Sequence, residues 1–306
     1  MERVELAFRA MGSPCQVKLY ARTRALAQAA VDEVQREVQR LEQKYSRYRD
    51  DSLTARINRS AGDAAGVEVD DETAGLLDYA AIAHRESGGL FDITSGVLRR
   101  AWDFRSGKLP AQAQLDALLP KVGWQRVRWQ RPRLVLPLAG MELDFGGYVK
   151  EYAADAAAAR ARALGVAHGL VDLGGDVCLL GPHPDGQPWR VGIRDPQRED
   201  AAIATLDLDR GAIATSGDYE RCMVVDGRRY SHLLDPRTGW PVTSLASVSV
   251  VAAQCLVAGT STTVALLMGP ERGAEWLDAL GLPNLRIAHD GRLGGSLAAA
   301  AVAALE

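Results

Sequence analysis

The stretch from residue 168 to 252 constrains the fold most. It breaks into short β-prone runs separated by Gly, Pro and Asp: LVDL, DVCLL, WRVGI, AIATLDL, CMVVD and SVSVV. On either side the hydrophobic period changes. An amphipathic pattern runs from about Leu26 to Gln43, a second from 71 to 87 ends at Gly88-Gly89, and an Ala-rich one from about 148 to 164 stops at Gly165. Helical patterns return at about 255–268 and 271–280, followed by a strand near 285–288. CQVKLY at 15–20 reads as an early strand, and the pieces around Val127 and Leu134-Val135-Leu136 read as a hairpin turning at Arg131-Pro132. A doubly wound fold would alternate strand and helix throughout. Helices early and late around a strand-rich centre predict the α+β class instead, as a single large domain over residues 1–306. The Ala-rich segment from Ser296 to Glu306 reads as a terminal helix or frayed tail.

The chain has 306 residues, 47% of them hydrophobic, which suits one large core rather than disorder. Its formal charge of -3 provides no basic face for nucleic acid. The cysteines Cys15, Cys178, Cys222 and Cys255 form no CxxC pair and have no histidine at zinc spacing, so buried free thiols are expected. No window has the uninterrupted apolar length of a membrane helix. Residues 1–6 lack the apolar region of a signal peptide, so a cytoplasmic location is expected, or a periplasmic one had a leader been removed.

Several polar strings interrupt the periodic segments, and most admit a purely structural reading. Met11-Gly12-Ser13 is a turn before the first strand read above. Ser46-Arg47-Tyr48 ends a helix, with Asp51 or Ser52 suited to cap the next one, while Tyr48 also offers a ring and hydroxyl to a planar ligand. Leu90-Phe91-Asp92 follows a glycine pair, which suits either a helix cap or a tight passage beside a ring system. Asp172-Leu173-Gly174-Gly175-Asp176 reads as a turn between strands. Leu143 to Lys150 is more informative: a strand delivers Asp144, Gly146 and Gly147 permit close backbone approach, and a helix begins at once with N–H groups suited to an anion. Lys150 in that first turn opposes the helix dipole, and a nearby phosphate would account for it. The string is neither GxGxxG nor a Walker motif. Ala214 to Arg221 lacks the GxSxG elbow, which argues against a serine hydrolase. In the rigid loop Tyr230 to Gly239, His232 is the best placed of the five histidines to act as a general base.

The order of these strings is what distinguishes the chain. MGS, SRYRDDSLTARIN, GGLFDITSGVLRRAW, LDFGGYVKEYAAD, LVDLGGDV, WRVGI, AIATSGDYER, YSHLLDPRTGWPV and GTSTTVALLMGPERG resemble the ApbE-type FAD:protein FMN transferases, in that family's order, from about residue 8 to 290. TSGDYER and SHLLDPRTG are the specific signatures. The resemblance implies an enzyme that binds FAD and, with Mg²⁺, moves FMN to a Ser or Thr hydroxyl of a target flavoprotein, releasing AMP. It implies FAD contacts at Met11, Tyr48, Leu90, Phe91, Asp92, Asp144, Lys150 and Leu234, with His232 as the catalytic base. It implies metal ligation by the Gly147 carbonyl and Thr263. Gly259 stands where the family carries an Asp one turn before that threonine, Glu151 where a glycine is usual, and Ser13 where a threonine is usual. A metal site short of one carboxylate leaves two alternatives beside transfer: an FAD-binding or delivery protein, or an FAD pyrophosphate hydrolase.

Overall fold

The structure is a computed structural model and describes residues 1–198, 201–243 and 245–299. In chain order, β1 (Glu2–Ala10) and β2 (Ser13–Ala21) lead into α1 (Arg24–Tyr45), α2 (Leu53–Arg59), β3 (Val67–Glu68), α3 (Asp71–Glu86) and α4 (Gln112–Leu118). The hairpin β4 (Arg128–Gln130) and β5 (Arg133–Val135) precedes α5 (Val149–Ala163). The strand-rich centre comprises β6 (His168–Leu173), β7 (Asp176–Gly181), β8 (Trp189–Arg194), β9 (Ala202–Leu208), β10 (Gly211–Gly217), β11 (Cys222–Val225), β12 (Arg228–Ser231) and β13 (Ser247–Ala252). Then come α6 (Cys255–Met268), α7 (Pro270–Ala279), β14 (Asn284–Ile287) and β15 (Leu293–Gly294).

Among the described residues, one antiparallel sheet of eight strands organises the molecule, in the order β1-β2-β6-β7-β10-β13-β14-β15. Its two faces follow from the period-2 alternation of side chains. Val171, Leu173 and Cys178 point into a core shared with α1 and α5, whereas Leu170, Val177 and Leu179 point into a second core closed by Trp189, Ile193 and Leu206 of the β8–β9 hairpin. This is one α+β domain, as the segment order predicts.

Local chemistry sets the helix starts. Thr23, Ser52 and Asp70 each accept a backbone N–H three residues on, the N-cap arrangement that opens α1, α2 and α3. The helix α1 buries Ala27, Ala30, Val31, Val34, Val38 and Leu41, a stripe at helical spacing. In α5 the buried stripe is alanine: Ala153, Ala154, Ala157, Ala158 and Ala161 are fully covered. Side chains this small let its backbone lie close to α1, α6 and the sheet. Glu151 is the charged exception in that stripe. The start of α6 is tied to α5, because both Asp155 carboxylate oxygens accept from it, from the Cys255 N–H at 2.8 Å and the Leu256 N–H at 2.9 Å.

Two features depart from the expectations. β1 was not legible as a strand, and it turns back on β2 through Met11-Gly12, so the MGS string is a hairpin turn between two strands. Of the Ala-rich tail, residues 300–306 lie outside the described residues.

Candidate functional site

A cleft of about 1170 Å³, counting the space at its open mouth, lies where the start of α5, the end of β10, the loop after β12 and the middle of α6 converge. Each wall is positioned by something traceable in the sequence. The 3-10 turn Phe145–Gly147 begins at Asp144, whose Oδ1 accepts the Gly146 N–H at 2.8 Å. Gly96 rests directly against Asp144, leaving no room for a side chain at 96. The loop carrying His232 is pinned by the Trp102 indole N–H, which donates to the Gly239 carbonyl at 2.8 Å, and by the Leu234–Pro241 bridge.

The cleft brings together Leu90, Phe91, Asp92, Asp144, Gly147, Lys150, His232, Leu234 and Thr263 from segments far apart in sequence. Met11 and Tyr48 are outside its lining. The Met11 N–H donates to Glu42 Oε1 at 2.6 Å, beneath the first hairpin. Tyr48 is 81% exposed, with the Arg47 guanidinium 5.1 Å from its ring centroid. Arg47 also donates to Asp144 Oδ2 at 2.9 Å, so the Tyr48 ring stands one guanidinium away from the cleft wall.

The acids of the cleft are mostly committed to local partners. Asp92 Oδ1 accepts from the Thr94 N–H and hydroxyl, and its Oδ2 accepts the Trp124 N–H at 2.9 Å. These bonds are those of a cap. Asp144 is buried; burial opposes its charge, but Arg99 and Arg47 outweigh that and hold its carboxyl below the usual range. Lys150 donates to Asp176 and, at 3.2 Å, to the Leu173 carbonyl. Burial works against that ammonium too, yet Asp176 and Glu151 hold it above the ordinary lysine value. The cation that the helix dipole does not explain therefore has a structural partner, Asp176, from the string that reads as a turn.

Glu151 sits beside this pair, 8% exposed, with Oε2 sealed from solvent and unpartnered. Burial, then the neighbouring Asp176 charge, push its carboxyl above the usual carboxylate range. Its side chain also fills the space beside Gly259: a Cβ at 259 would come to 2.9 Å from Oε1 and 3.0 Å from Cδ, and closer still to Cγ. One turn further along α6 the Ser216 hydroxyl of β10 lies 2.7 Å from Thr262 Oγ1 and 3.4 Å from Thr263 Oγ1.

His232 lines the cleft with Nδ1 sealed from solvent and unpartnered. Desolvation, then the Arg221 and Arg99 charges, bring its pKa down to about 4, so the ring is neutral at neutral pH. Asp235, three residues on, turns away and pairs with Arg237 at 2.8 Å rather than orienting the imidazole. Arg99, Asp176, Glu220 and Arg221 line the same cleft. Sequence reasoning passed over them as site residues, although all four stand inside the quoted strings and needed only the knowledge that those strings share a wall.

Among the described residues no three His, Cys, Asp or Glu side chains are grouped to hold a metal by themselves. No described helix is long and apolar enough to cross a membrane.

The model of the ApbE family matches residues 11–285. The FAD:protein FMN transferase of Salmonella typhimurium is 33% identical over 256 residues, covering 80% of this chain and 73% of that protein. That of Treponema pallidum is 33% identical over 290 residues, covering 87% and 79%. Among solved structures, the flavin transferase ApbE of Vibrio cholerae superposes with a TM-score of 0.87 at 29% identity, covering 96% of this chain and 97% of that one. The ApbE protein of Thermotoga maritima superposes at 0.89, with the same identity and coverage.

Proposed function

The chain belongs to the ApbE family, and on that premise we propose that its cleft carries out the transfer named in its relatives, moving FMN from FAD to a Ser or Thr hydroxyl of a target flavoprotein. The observation that carries the reading is His232: a neutral imidazole whose buried Nδ1 has no hydrogen-bond partner, in a cleft that also presents Lys150, Arg99 and Arg221. The cationic groups and the α5 N-terminus suit a pyrophosphate, and Leu90, Phe91 and Leu234 suit the flavin ring. Met11 and Tyr48 suit the outer parts of the ligand at the rim.

The reaction is an in-line displacement at the FMN-side phosphorus. The target hydroxyl oxygen forms the new P–O bond, the bond to the AMP oxygen breaks, AMP leaves, and the hydroxyl proton passes to the His232 ring. A base near 4 is weak, but pyrophosphate charge beside it offsets Arg221 and Arg99 and raises its basicity toward the working range. Gly147 and Thr263 are the residues that would hold Mg²⁺, a hard cation that draws further oxygens from phosphate. When bound, it supplies charge stabilisation to the transferring phosphoryl group.

The test is His232→Ala incubated with FAD, Mg²⁺ and a candidate acceptor. FAD affinity should stay within about threefold of the parent while AMP release and the acceptor's mass gain fall by roughly 10²–10⁴. A variant that releases AMP like the parent would remove His232 from the chemistry, and AMP release without any acceptor would indicate hydrolysis instead.

A further inference from the structure

We propose that Glu151 supplies the carboxylate for a divalent cation at the pyrophosphate of bound FAD, reaching it from α5 through the space that Gly259 leaves open on α6. The inference rests on the FAD reading of the cleft and names a ligand within it.

Three observations meet at this side chain. Glu151 is the charged residue in an otherwise apolar buried stripe of α5, a place where a carboxylate is costly unless something compensates it. Its Oε2 is sealed from solvent with no hydrogen-bond partner, although Glu151 lines the cleft together with Gly147 and Thr263. Helix α6 accommodates it by carrying glycine at 259, because any side chain there would overlap Glu151 Cγ, Cδ and Oε1. Gly259 is itself buried mid-helix, where glycine weakens a helix relative to alanine. A residue disfavoured in its own element thus makes room for a side chain disfavoured in its own environment.

A hard cation resolves both. Magnesium takes oxygen ligands and usually keeps one or two carboxylates with phosphate oxygens. Glu151 provides the carboxylate, Thr263 a hydroxyl and Gly147 a carbonyl. The neighbouring Asp176 is engaged by Lys150, whereas Glu151 keeps a buried oxygen without a partner.

The experiment uses Mn²⁺ as a paramagnetic probe, titrated into the full chain with and without FAD and read by the loss of the free-ion signal. FAD binding without metal is measured separately by flavin fluorescence. The FAD-loaded parent should bind Mn²⁺ saturably, Glu151→Gln should weaken that binding at least tenfold, and metal-free FAD affinity should be unchanged or slightly tighter in the variant. The exchange Glu151→Gly with Gly259→Asp, which returns a carboxylate to the same gap from the other helix, should recover most of the Mn²⁺ affinity. Equal Mn²⁺ binding by parent and Glu151→Gln overturns the assignment, as does an exchange variant no better than Glu151→Gln. No FAD binding by the parent would overturn the FAD reading and this inference together, whereas intact FAD binding with unaltered Mn²⁺ binding overturns this inference alone.

Discussion

Gly259→Ala is a sharp probe of how α5 and α6 fit together. In an exposed helix interior, replacing glycine by alanine stabilises by about 1 kcal/mol. Here the new methyl would meet Glu151 at Cγ, Cδ and Oε1, well inside van der Waals contact. Relieving such overpacking costs typically 1–3 kcal/mol. The two effects oppose each other, so the parent should lose about 0–2 kcal/mol. In a Glu151→Ala background every clashing atom is gone, and the same change should stabilise by about 1 kcal/mol. The difference between backgrounds, roughly 1–3 kcal/mol, is the coupling energy of the pair. Urea unfolding of the four proteins at one pH, followed by far-UV circular dichroism, measures it. A Gly259→Ala effect of the same sign and size in both backgrounds would refute the reasoning, because it would mean Glu151 does not occupy that space.

Asp144→Ala should cost about 3–5 kcal/mol in urea unfolding, since it strands Arg47 and Arg99 beside a buried site and removes the acceptor of the Gly146 N–H; a loss below 1 kcal/mol would show that the pair is solvated and dispensable. The pH dependence of His232 has a definite sign. The unfolded chain takes up its proton near 6.5, whereas the folded ring, facing Arg221, Arg99 and Lys150, resists until about 4. The ligand-free protein therefore loses stability from this group as pH falls from 6.5 to 4, by roughly 3 kcal/mol at the lower limit. His232→Gln should flatten that part of the profile relative to the parent, and unchanged slopes would refute it.

Much of the architecture was legible because it depends on period and punctuation. The α1 stripe, the α3 pattern that ends at Gly88-Gly89 and the Ala-rich α5 are local patterns that survive tertiary packing. β1 was missed because ERVELAFRA carries the charges of an edge strand, as Glu2, Arg3, Glu5 and Arg9 show. At the site, residue order located His232, Lys150 and Thr263 on one cleft, but partners across the fold were invisible. Nothing near Lys150 in sequence announces Asp176, and nothing near Gly259 announces Glu151. The glycine read from the sequence alone is a lost ligand; beside Glu151 it is half of a fitted pair. Such complementarity joins residues about a hundred positions apart and becomes visible only with coordinates.

The bond from Asp155 to the start of α6 also bears on when the site comes into being. The cleft draws on residues from Ser13 to Leu267, and the first amides of α6 are held by Asp155 of α5. On the ribosome every strand from β1 to β13 is synthesised before Thr263 exists. Flavin thus has no complete pocket to enter until α6 has been made, after the sheet strands β1 to β13. A ligand that binds only the finished fold stabilises it by mass action and cannot template the route to it. Cellular FAD supply would then govern how long the completed protein persists, while the rate at which new molecules mature would stay independent of it.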